Sequence, residues 1–133
     1  MGIFDLFKKK EIGPYMNDDQ HTKNMQSQLT MSPKTLSQLR NLGVNETKEL
    51  KLEYFFYTNV SEKAESLRSK LEGMNYSVQI DKSAGDKKDL CITGWTTPLQ
   101  MSDDIVVNWT REMCEIGFKC DCEFDGWGTF PDQ

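Results

Sequence analysis

Between Glu49 and Val60 the chain alternates, with Leu50, Leu52, Tyr54 and Phe56 on one side and Glu49, Lys51, Glu53 and Phe55 on the other. A period of two predicts a strand. The period then changes. In SEKAESLRSKLEGMN, Ala64, Leu67, Leu71 and Met74 recur at three or four, which predicts an amphipathic helix capped by Ser61 and ended by Gly73 or Asn75. YSVQID alternates at Tyr76, Val78 and Ile80 and predicts a second strand; SAGDKKD has the composition of a turn. DLCITGW predicts a third strand and TTPLQ a loop. Ser102 caps the next helix, with Asp103 and Asp104 well placed against its dipole. Ile105, Val106, Trp109, Met113 and Ile116 form its buried stripe, and Gly117 ends it. FKCDCEFDGW predicts the fourth strand. The order β-α-β-β-α-β is the ferredoxin-like arrangement: an α+β fold with a four-stranded antiparallel sheet and two helices on one face.

Upstream, neither period is visible from Lys8 to Thr30, and the polar composition reads as a linker or poorly ordered arm. MSPKTLSQLRNLG follows. Ser32 suits a cap, Pro33 a first helical position, Leu36 and Leu39 one face, and Gly43 a stop, which predicts a short helix over about 33–42. The expected organisation is a flexible polar arm, residues 1–32, and one α+β domain, residues 33–133.

Charge divides along the same line. Seven Lys/Arg and five Asp/Glu over residues 1–48 leave +2, whereas nine and sixteen over residues 49–133 leave −7. An acidic folded part repels phosphate and attracts basic partners, so tight nucleic-acid binding is not expected. No apolar run reaches the ~18 residues of a bilayer span. MGIFDLFKKK reverses the basic-then-apolar order of a secretory signal, and Leu6 stands where myristoylation of Gly2 wants Ser or Thr. The expected location is the cytoplasm.

The four cysteines, Cys91, Cys114, Cys120 and Cys122, are then expected to be reduced. On a strand Cys120, Cys122 and Phe124 would share one face and Asp121, Glu123 and Asp125 the other. No CxxC spacing occurs and His21 lies in the polar arm, so core packing is preferred to a zinc site, and no metal or cofactor is expected. With one histidine and no G-x-S-x-G, P-loop or dinucleotide fingerprint, the chain does not read as an enzyme. The alternative class is a small RNA-binding module stacking bases on Tyr54, Phe56 and Trp95, opposed by the charge and by the lack of a basic-Gly-aromatic pattern. An acidic adaptor or immunity-type protein for an unrelated basic partner is the other alternative.

The chain closes on CDCEFDGWGTFPDQ. Gly126 and Gly128 allow backbone conformations closed to other residues, so Trp127 could fold back as a lid over one end of the sheet. Read functionally, Asp121, Glu123, Asp125 and Trp127 form a contact patch, with Asp103 and Asp104 as additions. DGWGT at Asp125 to Thr129, the LG before the first strand and the aromatic YFFYTN resemble the RraB family, bacterial protein regulators of ribonuclease E, over roughly residues 33–131. The resemblance implies a non-catalytic βαββαβ protein that inhibits the endoribonuclease by contact with basic regions of its RNA-degrading assembly. It also implies that Gly126, Gly128 and Thr129 form a structural signature.

Overall fold

Helix α1, Asp18–Asn41, begins at a capping box. The Asn17 carboxamide accepts from the Gln20 N–H at 2.8 Å, and Gln20 Oε1 accepts from the Asn17 N–H at 2.9 Å. The computed structural model describes residues 13–82 and 89–133. The N-terminal decapeptide and most of the SAGDKKD turn lie outside the described residues.

The helix starts at Asp18 rather than Pro33, so much of the expected polar arm is helical. Its inward positions do follow a helical spacing: Met25, Gln28, Ser32, Leu36 and Leu39. Polar side chains hold two of them. Pro33 sits inside the helix on the exposed side instead of opening it, and Ser32 is buried mid-helix, not a cap.

The expected first strand is split into β1, Glu49–Leu50, and β2, Glu53–Thr58, yet the burial of Leu50, Leu52, Tyr54 and Phe56 keeps the period of two. Helix α2, Ser61–Gly73, buries Ala64, Leu67 and Leu71; Ser61 is its first residue, and its N-cap is Val60, without a side-chain bond. After α2 come β3, Gln79–Lys82; β4, Leu90–Trp95; and β5, Leu99–Gln100, which pairs with β1. Helix α3, Asp103–Lys119, is capped as expected, Ser102 Oγ accepting from the Ile105 N–H at 3.3 Å. It runs past Gly117. That glycine is a packing position, since a Cβ there would meet the Phe56 ring at 2.7 Å and the Cys122 carbonyl at 2.8 Å. Ile105 is 40% exposed and drops out of the stripe, while Val106, Trp109 and Met113 are buried. The last strand, β6, Glu123–Gly128, starts later than expected because Phe118 and Lys119 still belong to α3.

The three helices of the described residues stop in the same way. In each, a residue with positive φ follows the C-cap: Gly43 at 90°, Asn75 at 66° and Asp121 at 57°. Its N–H and the next one bond back to the last turn, as in Asp121 to the Phe118 carbonyl at 2.9 Å and Cys122 to the Gly117 carbonyl at 2.8 Å.

The four-stranded sheet is antiparallel throughout, in the order β3-β4-β2-β6. Tyr54, Phe56, Ile92 and Phe124 face the helices and form one core with Leu67, Leu71, Trp109 and Met113. Phe55, Tyr57, Cys91, Thr93 and Trp95 alternate onto the opposite face and are half-buried.

Candidate protein-interaction site

Strict alternation along β6 would put Trp127 beside Glu123 and Asp125 on the outer face. The structure puts it on the inner one. Phe124 pairs with Phe56 but Gly126 pairs with Phe55, so Asp125 is an extra residue in a bulge, and Trp127 comes opposite the buried Tyr54. A one-residue slip turns every later side chain to the other face. Gly126 makes the slip possible: its φ is +115°, in the region that disfavours side chains.

The Trp127 ring packs edge-on against Trp109, centroids 6.3 Å apart. Its indole N–H donates to Ser32 Oγ at 2.9 Å, and Ser32 Oγ lies 2.6 Å from Thr110 Oγ1, which donates to the Val106 carbonyl at 2.8 Å. Because Thr110 uses its proton on that carbonyl, Ser32 donates to Thr110 and accepts from Trp127. Each group in this relay from β6 through α1 to α3 is satisfied.

Asp121 also differs from the expectation. It belongs to the left-handed turn after α3, not to an acidic strand face. Its carboxylate accepts from the Tyr15 N–H at 2.7 Å, the Met16 N–H at 2.9 Å and the Lys63 ammonium at 2.7 Å. Burial works against its charge, but Lys63 and the two backbone N–H groups outweigh that and lower its pKa below the ordinary 3.8. The side chain is only 24% exposed. Asp121 therefore fastens the segment leading into α1 to α2 and to the end of α3.

Among the remaining expected contacts, Glu123 is half-buried and Asp125 exposed, both on β6. Asp104 is exposed, and Asp103 pairs with Arg40 at 3.0 Å while staying 69% exposed. These two stand at the start of α3, about 25 Å along its axis from Asp121. The six residues do not converge on one patch. Glu123 and Asp125 share a strand, Asp103 and Asp104 occupy a separate end, and Asp121 and Trp127 hold the frame together. Of the glycine signature, Gly126 makes the bulge, while a Cβ at Gly128 would meet nothing. Thr129 donates to the Lys51 carbonyl at 2.7 Å and ties down the strand's exit.

Three cysteines pack inside the protein. Cys114 and Cys122 are buried, and burial above all pushes each thiol up to about 12. Cys120 is the buried C-cap of α3, not a strand residue. Cys91 lies half-buried on the outer sheet face opposite Tyr57, and burial raises its pKa. Tyr54 and Phe56, named for base stacking, are fully buried, and Trp95 stacks on Phe130 at 5.7 Å from the opposite face.

The outer face shows what the alternation of EYFFYT only hinted at. Phe55 and Tyr57 lie at its centre. Gly126 and Gly128, opposite Phe55 and Glu53, raise no side chain beside them. β2, β4 and β6 carry no Lys or Arg, and their charged residues are Glu53, Glu123 and Asp125.

These features define a small α+β domain that closes its sheet on a bulged DGWGT strand and presents aromatic and acidic side chains outward. The chain belongs to the RraB family, regulator of ribonuclease activity B, whose model matches residues 30–129. That span takes in Ser32, Asp121 and the bulge together. No curated protein matches the chain. Membership implies a regulator of ribonuclease activity. Among the described residues no helix is long and apolar enough to cross a membrane.

Proposed function

We propose that the chain is a non-catalytic cytoplasmic protein that binds ribonuclease E, or its degradation assembly, through an acidic surface. The observation carrying this reading is the family match over residues 30–129, which includes the bulged strand on which Glu123 and Asp125 stand. Their carboxylates steer a basic surface toward the sheet, since rim charges act mainly on the rate and choice of encounter. Asp103 and Asp104 add to the field from the far end of α3. Trp127 and Asp121 act indirectly, by holding β6 and the start of α1 in place. A ferredoxin-like fold is supported by the order β3-β4-β2-β6, with β4 inserted between the parallel pair that α2 connects.

The reading is tested by calorimetric titration of purified ribonuclease E with the full chain and with Asp125→Asn. We expect binding that weakens with salt and with the substitution, while melting curves of the two proteins coincide. Absence of binding at low salt would refute it.

A further inference from the structure

We propose that the outer sheet face, centred on Phe55, Tyr57 and Trp95, recognises an extended arginine-rich segment of the partner protein. This deepens the proposed function and rests on it.

Among the described residues the helices cover only one side of the sheet. Tyr54, Phe56 and Ile92 on that side belong to the core cluster, whereas Phe55, Tyr57 and Trp95 do not. Phe55 and Tyr57 on the central strand β2 and Trp95 at the end of β4, half-buried and with Trp95 stacked on Phe130, form an aromatic platform outside that cluster. Beside them a cavity of about 160 Å³ is bordered by Glu53, Gln79, Thr93 and Trp95. It joins a carboxylate and an indole in one recess. The β6 side of Phe55 is kept low by Gly126.

The charge selects the occupant. The rows across this face place Glu53 opposite Trp95, and Asp81 and Cys91 in line with Tyr57 and Glu123, with no cation on β2, β4 or β6. A phosphate-bearing strand would meet repulsion on a platform of this kind. A cation is attracted, and of the two basic side chains a guanidinium is the better match. It is planar, stacks on aromatic faces, desolvates more readily and still directs N–H groups sideways to a carboxylate. An ammonium gains the charge attraction and little of the stacking. Four strands about 4.8 Å apart span roughly 14 Å, which an extended peptide crosses in about four to five residues. The fitting ligand is a short run in which alternate residues are arginine.

The test is calorimetric titration of the full chain with two synthetic peptides of about eight residues, one alternating Arg with Ser and its Lys twin. We expect the arginine peptide to bind about fivefold tighter than the lysine one. Glu53→Gln and Trp95→Leu should each weaken the arginine peptide about fivefold, and Trp95→Phe should retain most of its binding. Thermal melts of each variant show that it is folded. Equal affinity for the two peptides, or affinity unchanged in folded Glu53→Gln and Trp95→Leu, would overturn the inference. So would tighter competition by an RNA oligonucleotide, or dimerisation in sedimentation that Trp95→Leu abolishes. Ribonuclease E titrated in parallel separates the two levels. If it binds the wild type and Trp95→Leu equally, the sheet face is wrong and the acidic regulator stands. If it binds neither, the functional reading itself fails.

Discussion

Ser32, Asp121 and Gly126 each do something their residue type alone does not announce. Ser32 looks like a helix cap before a proline, but its hydroxyl joins Trp127 to Thr110 in the buried relay. Ser32→Ala removes both bonds and leaves the indole N–H without its acceptor. We expect a loss of about 1–3 kcal/mol in denaturant melts, and a smaller loss for Ser32→Thr. Gly126→Ala faces little steric crowding, the nearest atom to the added Cβ being Gln28 Oε1 at 3.5 Å. Its effect comes from the backbone at φ +115°, and should be about 1–2 kcal/mol by the same measurement. For Asp121 the discriminating variable is pH. Its pKa is lowered in the folded protein, so its stabilisation is present above the ordinary value of 3.8 and is lost as pH falls through the depressed one. Asn tolerates the left-handed turn. Asp121→Asn should therefore melt well below the wild type at neutral pH, with the gap narrowing as the solution is acidified through and below pH 3.8.

The elements differed in how plainly the sequence announced them. Regular alternation and the 3–4 spacing of Ala64, Leu67 and Leu71 or of Val106, Trp109 and Met113 specify elements because apolar residues occupy most inward positions. α1 lacks such an unbroken apolar stripe. Its inward positions keep helical spacing, but Gln28 and Ser32 fill two of them, and the Ser32 hydroxyl is acceptable inside because Trp127 on β6 and Thr110 on α3 bond it. The Asn17–Gln20 capping box was the available local cue. The bulge was equally hidden: nothing in FDGWG says which residue is the extra one until β2 supplies the register. Alternation alone puts Asp121, Glu123 and Asp125 on one face and leaves the placing of Trp127 to the glycines beside it; the register of β2 shows Asp125 in the bulge and Trp127 turned inward. Residues before Thr30, whose polar composition reads as a poorly ordered arm, should matter for stability. Deleting residues 1–29 removes the His21–Phe118 stack at 4.1 Å and both N–H groups held by Asp121. The melting temperature should fall by about 10 °C or more. A shift of a few degrees would show that the first half of α1 is a passive extension.

At the scale of the whole molecule, two surfaces divide the work. The inner side of the sheet carries the core and the Trp127–Ser32–Thr110 relay, which fix where β6 runs. The outer side carries the Phe55, Tyr57 and Trp95 rings and the Glu53, Glu123 and Asp125 carboxylates. The chain has 21 acidic and 16 basic residues, and the excess lies downstream of Lys48. Such an imbalance favours encounter with basic surfaces and weakens with salt. The central claim is that this acidic side of an RraB-family domain regulates a ribonuclease by contact. The most direct measurement is the rate of RNA cleavage by ribonuclease E with added wild-type chain and with the Glu123→Gln/Asp125→Asn double variant, at low and at about physiological salt. We predict that the wild type slows cleavage most at low salt and that the folded double variant slows it markedly less. Inhibition equal for both proteins at every salt concentration would contradict the account.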